Sequence, residues 1–284
     1  MKQLSIIIVN YNVKHFLENC IRSCLNAIRN FDAEIIVVDN NSVDGSKEYI
    51  TSLFPQVIWI QNSENTGFSK ANNTGVKQAS GKYILILNPD TIIPEDIFDK
   101  IIPFAESKND MGALGVRIAD VDNNYRPESK RNIPNPGNTF NKFFYKFKMG
   151  KKEEIKGYYN DTVGEFEVGK VEILTGCFFF ITKKIYEEVG GFDEAYFMYG
   201  EDIDLSYTIL NLGYQNYYFG QSTIIHYKGE STIKDKVHYQ RFFGAMEIFI
   251  NKHYKKRFFT YIILLIGLKI RYYMALFIDR FQKD

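Results

Sequence analysis

Several acidic and amide side chains interrupt otherwise apolar runs of this sequence, at positions where they could do chemistry. Asn88-Pro89-Asp90 cuts into YILILNPDTIIP over residues 83–94. Taken alone, Asp90 could be a turn former or a carboxylate opening a helix. Asp39 ends another run, where it can accept hydrogen bonds from a base or a ribose, or cap the turn that follows. Glu201, Asp202 and Asp204 fall at the start of a helical pattern, where acidic groups complement the macrodipole. That accounts for their type, but not for the aromatic lead-in AYFMYG just before them. His226 stands alone, as structural histidines usually do.

The elements that must position these groups are legible in outline. LSIIIV (4–9), EIIVVD (34–39), VIWIQN (57–62) and YILILN (83–88) are short, uninterrupted and rich in β-branched residues. Strands apolar on both sides belong to a parallel sheet covered by helices. Helical stretches at 14–29, 44–53 and 69–79 separate them, which gives an α/β, doubly wound order. Ligands of such sheets bind beyond the carboxyl ends of the strands. Here those ends are Asn10-Tyr11-Asn12, Asp39-Asn40-Asn41-Ser42, Asn62 and Asn88-Pro89-Asp90, so one polar rim forms a site. Further on, VEILTGCFFFI (171–181) reads as a strand and 183–189 as a helix. Residues 126–157, basic, aromatic and rich in Pro and Gly, read either as a surface excursion or as an acceptor-facing segment that attracts phosphate.

Composition narrows the class. The 284 residues are 45% hydrophobic and 24% charged, a globular balance. A formal net charge of +1 gives no support to a nucleic-acid partner. With three cysteines and no nearby Cys/His set, buried free thiols are expected. The strand at residue 4 leaves no room for a signal-peptide core, so a cytoplasmic protein is expected.

In their order and spacing, SIIIVNYN (5–12), VVDNNSVDGS (37–46), NTGFSKANNTG (65–75), LNPDT (87–91), TGCFFF (175–180), GGFDEAYFMYGEDIDL (190–205) and HYKGES (226–231) are specific. Together they resemble the family-2 glycosyltransferases of GT-A fold, and within them the rhamnosyltransferase-like enzymes of bacterial surface polysaccharide synthesis. The resemblance runs from Ser5 to about Ser231. It implies a GT-A domain over 1–250, with a nucleotide-binding half (1–118) and an acceptor-binding half (119–250), and a tail over 251–284.

The resemblance also implies roles. Asn10, Tyr11, Asn12, Asp39 and Asn41 contact the nucleotide of a dTDP- or UDP-sugar donor. Asn65, Gly67, Phe68 and Asn72 close over the nucleoside, and Asn88 lies with Asp90 at the diphosphate. Asp90 is the surviving carboxylate of an Asp-x-Asp metal motif, and His226 joins it on Mn²⁺ or Mg²⁺, the donor diphosphate supplying the remaining ligands. Asp202 is the general base of an inverting transfer, with Glu201, Gly176 and Cys177 toward a saccharide or polyprenyl-diphosphate-linked saccharide acceptor. Thr208 stands where many relatives carry arginine. A nucleotidyltransferase is the runner-up, but it needs a Gly-rich loop after the first strand, and VNYNVKHF has no glycine. A silent nucleotide-sugar binder would not need Asp90, Asp202 and His226 together.

The tail RFFTYIILLIGLKIRYYMALFIDRF (257–281) is a separate question. Its uninterrupted apolar part, Phe258 to Leu268, is shorter than the roughly 20 residues a bilayer requires. Burying Lys269 and Arg271 would cost about 2.5–3.5 kcal/mol each. With Lys255, Lys256 and Arg257 before it, the tail reads as a helix on an anionic membrane surface at the inner face of the cell membrane. Packing on the domain, or on a second subunit in a homodimer, is the alternative.

Overall fold

The computed structural model describes residues 2–134, 158–227 and 236–281. Strand β1 (Lys2–Asn10) is buried from Leu4 onward, as a run apolar on both sides must be. Helix α1 (Lys14–Ala27) leads to β2 (Ala33–Asp39), α2 (Ser46–Leu53) to β3 (Ile58–Gln61), and α3 (Phe68–Gln78) to β4 (Gly81–Leu87). The short β5 (Thr91–Ile92), α4 (Ile97–Glu106) and β6 (Met111–Ala119) follow. A single 3-10 turn then leads into β7 (Lys130–Arg131). After it come β8 (Val168–Val171), β9 (Ile173–Leu174), β10 (Phe178–Thr182), α5 (Lys183–Glu188), α6 (Glu201–Asn211) and β11 (Gln215–His226). Two long helices, α7 (Lys236–His253) and α8 (Phe258–Phe281), end the chain.

The main sheet runs β3-β2-β1-β4-β10-β6-β11-β5, with β8 also on β11. The first four strands are parallel. Strand β10 enters antiparallel between β4 and β6, so the second half is mixed. Register builds the polar rim. Asn10 pairs with Asp39, Asp39 with Gln61, and Phe178 with Leu87, while His226 lies opposite Thr91. Alternation along the strands divides the core between the two sheet faces. Ile6, Ile8, Leu85 and Phe180 pack on one face, Ile7, Val38, Ile86 and Phe179 on the other. Each such side chain contributes about 1.5–3 kcal/mol on burial.

Two expectations change. The run 171–181 is not one strand: it breaks at Glu172 and again at Thr175-Gly176-Cys177, because the Gly176 amide turns aside to reach Asp202. The apolar part of the tail also extends beyond Phe258–Leu268. Its helix continues unbroken, and Phe258–Phe277 is long and apolar enough to cross a membrane by length and composition. Leu264 and its neighbours Leu265 and Leu268 pack with Ile173, Tyr196 and Ile203 of the domain. The opposite face leaves Phe259, Ile262, Ile263, Ile266, Ile270, Tyr273 and Phe277 exposed. The helix therefore packs on the protein and keeps an apolar outer stripe. Helix α7 runs through the expected 250/251 boundary, and Lys252 and His253 at its end hold Asp204 of α6 at 2.8 and 2.6 Å. The cysteines are free and buried.

Candidate active site

Beyond the carboxyl ends of β1, β2 and β4 opens a cleft of about 230 Å³. Of the residues singled out in the sequence, Tyr11, Asn65, Gly67, Phe68, Asn88, Asp90, Gly176, Cys177, Glu201, Asp202 and His226 wall it together. They come from distant chain segments, and the β4–β10 and β11–β5 pairings bring Asn88–Asp90, Cys177 and His226 together.

Asp90 is held by the turn after β4. The Asn88 amide donates to Cys177 O at 3.0 Å, the Tyr227 amide donates to Asp90 O at 3.0 Å, and Thr91 Oγ1 donates to Asn88 O at 2.7 Å. The Asp90 carboxylate is buried, and His226 Nε2 lies 3.2 Å from its Oδ1. Burial opposes protonation of this imidazole, but the Cys177 side chain and the Asp90 carboxylate outweigh it and push its pKa up to about 10. Among the described residues no set of three or more His, Cys, Asp or Glu gathers for a metal. One carboxylate oxygen and one imidazole nitrogen, the latter once a cation displaces its proton, suit a cation that shares its remaining ligands with a bound diphosphate, and do not make a protein cage. The rest of HYKGES, residues 228–231, lies outside the described residues.

Across the cleft, Glu201 and Asp202 open α6 after two residues of positive φ, Tyr199 (φ 75°) and Gly200 (φ 80°). A left-handed tyrosine costs of order 1–3 kcal/mol and persists because its surroundings hold it. Asp202 Oδ2 accepts from Arg131 Nη2 at 2.6 Å and from the Gly176 amide at 3.1 Å; Oδ1 accepts from the Ile203 amide at 2.8 Å. A carboxylate offers about four acceptor positions, so Oδ1 keeps one for a ligand. Glu201 is buried, and burial, with the Asp202 charge second, pushes its carboxyl up to about 8. Its Oε2 has no hydrogen-bond partner among the described residues. The pair therefore divides into an ion-paired carboxylate and a carboxyl neutral at pH 7.

The other expected donor contacts are placed differently. Asp39 is buried with four hydrogen bonds, from Asn10 Nδ2, the Ser42 amide and hydroxyl, and Gln61 Nε2, at 2.6–2.8 Å. It ties strand ends together beneath the rim, and its acceptor positions are taken. Asn10 is its buried partner; Asn12 (φ 56°) and Asn41 (φ 63°) are left-handed turn residues; Asn72 is buried on α3. These five do not wall the cleft, because register and the αL turns point their side chains inward or along the loop.

Asn40 was read in the sequence only as part of the polar rim, without a role of its own, and Arg131 was not singled out. Asn40 donates to Gly67 O at 3.0 Å and accepts from Asn62 Nδ2 at 2.8 Å, fixing the 62–67 loop on β2. Gly67 (φ 83°) leaves no room for a side chain, since a Cβ would meet Phe197 O at 2.4 Å. Arg131 lies on β7, opposite Ile173. It sits in the stretch read as an excursion, of which residues 126–134 are described and 135–157 lie outside the described residues. A two-residue strand has no periodicity by which to be found.

Known proteins share this architecture. The chain is 24% identical over 257 residues to the N-acetylglucosaminyl-diphospho-decaprenol L-rhamnosyltransferase of Mycobacterium tuberculosis, covering 82% of this chain and 78% of that protein. It is 31% identical over 171 residues to the rhamnosyltransferase WbbL of Escherichia coli K12, covering 57% of this chain and 61% of that protein. Among solved structures it matches S. aureus TarS with a TM-score of 0.59 at 14% identity, over 88% of this chain and 64% of that one. It matches the mannosyltransferase PcManGT of Pyrobaculum calidifontis, solved with GDP-Man and Mn²⁺, with a TM-score of 0.57 at 18% identity, over 88% of this chain and 62% of that one. The chain thus spans less than two thirds of either solved chain, and these likenesses establish a GT-A fold. Residues 5–190, more than half the chain, match the model described as Glycosyl transferase family 2, and the protein belongs to that family.

Proposed function

We propose that the protein is an inverting, metal-dependent glycosyltransferase that moves one sugar, rhamnose or another hexose, from a dTDP- or UDP-sugar to a polyprenyl-diphosphate-linked saccharide. The observation that carries the reading is the placement of Asp90–His226 and Glu201–Asp202 on the walls of one cleft. The relative from Mycobacterium tuberculosis, named for a diphospho-decaprenol acceptor and a rhamnosyl donor, supports the substrate class.

Asp202 takes the proton of the acceptor hydroxyl on the open position of Oδ1 while that oxygen attacks the anomeric carbon. The bond from that carbon to the diphosphate breaks on the opposite face, so configuration inverts. Arg131 and the Gly176 amide keep the carboxylate in place through Oδ2. Glu201, neutral at pH 7, donates a hydrogen bond that orients the acceptor. Asp90 and His226 would hold Mn²⁺ or Mg²⁺, which neutralises charge on the departing diphosphate when bound.

The outer stripe of α8, with exposed Lys255, Lys256 and Arg257 before it, lies on the anionic cytoplasmic face of the membrane, where a lipid-linked acceptor is presented. A panel of nucleotide sugars, scored by thermal shift with Mn²⁺, tests the donor. A bound donor at 100 times its Kd should add about 2.7 kcal/mol. A flat response across dTDP-, UDP- and GDP-sugars would contradict the reading.

A further inference from the structure

A second cavity, of about 110 Å³, lies between α7, α8 and the first turn of α6. Phe243, Met246 and Phe249 of α7 and Leu264 and Leu268 of α8 give it an apolar wall, and Ile203 closes the inner end. Ile203 follows Asp202 directly, so this cavity and the active-site cleft meet at one helical turn.

Arg271 is the single charged residue among the described residues lining it. Burial disfavours its charge, and the Tyr158 hydroxyl, also on the wall, is the one group acting the other way. Among the described residues no carboxylate pairs with it. A cation set in an apolar wall without a counter-ion is costly, so an anion is the missing complement. An apolar slot ending on one cation fits an amphiphile with a hydrocarbon chain and a phosphate. The outer face of the same α8 carries an exposed apolar stripe, the chemistry that a hydrocarbon-bearing ligand shares.

We propose that this cavity binds the first isoprenoid units and a phosphate of the lipid-linked acceptor, the hydrocarbon between Met246 and Leu268 and a phosphate oxygen on Arg271. The assignment rests on the acceptor class given under Proposed function, and it places the sugar end of that lipid toward Asp202.

The test is equilibrium binding of radiolabelled farnesyl phosphate to the full chain, with farnesol and inorganic phosphate as comparison probes. Farnesyl phosphate should bind saturably, farnesol about tenfold more weakly, and inorganic phosphate should not compete, since a charge-assisted hydrogen bond is worth about a tenfold change. Arg271→Gln should lower farnesyl phosphate affinity to that of farnesol, Arg271→Lys should recover part of it, and Met246→Trp should fill the slot and abolish binding. UDP binding with Mn²⁺, measured on the same samples, should be unchanged in the three variants. Failure of UDP to bind wild type would count against the donor site and leave the farnesyl phosphate result readable. No saturable binding by the intact chain, equal affinity for farnesol, or indifference to Arg271→Gln and Met246→Trp would overturn the proposal. A dimer in sedimentation that Met246→Trp dissociates would assign the slot to a second copy and overturn it too.

Discussion

Replacing Arg131 by glutamine should be among the most damaging single changes near the cleft, although Arg131 touches neither proposed ligand. Its guanidinium lies 2.6 Å from Asp202, with side chains 12% and 13% exposed. Removing one partner of a buried ion pair costs about 3–5 kcal/mol, because the other charge is stranded. Asp202 keeps the amides of Gly176 and Ile203 and borders the cleft, so the lower end, about 3 kcal/mol, applies. Loss of the Arg131 bond to Leu174 O, at 2.9 Å, adds about 1 kcal/mol. Urea unfolding of wild type, Arg131→Gln, Asp202→Asn and the double mutant reads this directly. The single arginine change should cost about 4 kcal/mol, and the double mutant should cost about 2–3 kcal/mol less than the sum of the singles. Arg131 also holds the Glu201 carboxyl down, so its loss should move Glu201 protonation to higher pH. A cost within about 0.5 kcal/mol of zero, or strict additivity, would refute the reasoning.

Burial raises the Glu201 carboxyl from the ordinary carboxylate range to about 8 in the folded state, so its contribution is present at low pH and lost as pH rises through that window. Glu201→Gln should flatten the profile, removing a slope of up to about 1.4 kcal/mol per pH unit, as followed by melting temperature against pH. Gly67→Ala forces a Cβ at positive φ against Phe197 O and should cost about 1–3 kcal/mol while weakening UDP binding, measured by denaturation and calorimetry. In Asp90→Ala, UDP affinity should become the same with EDTA as with Mn²⁺, whereas chelation should weaken binding to wild type.

The rim of strand ends was legible because β-branched runs stop abruptly at amides and carboxylates, and parallel strands must end on one side. Asp90, Glu201, Asp202 and His226 could be named from motif order, and they do share one cleft. The local ties of Asp39 were not legible because they come from register: it bonds Asn10 and Gln61 on the neighbouring strands. Arg131 was hidden because a two-residue strand meets Asp202 only across 71 residues of chain. The tail was hard to read because its polar residues are too few to mark its faces by pattern: one face buries Leu264 and the other leaves an apolar stripe exposed. Asp204 belongs to the acidic cluster by sequence, yet Lys252 and His253 bind it, so its work is to fasten α7 to the helix that carries Asp202.

The central claim, that Asp202 is the base of a glycosyl transfer, is tested most directly by the turnover of Asp202→Asn. The donor selected by thermal shift is supplied with membranes bearing lipid-linked acceptors, well below the melting temperature of the variant. Asparagine keeps the shape of the side chain and can still accept from Arg131, but it cannot take a proton. Turnover should fall about 10²- to 10⁴-fold, the worth of a general base, while UDP affinity in Mn²⁺ stays that of wild type. Turnover within a few-fold of wild type would contradict the account.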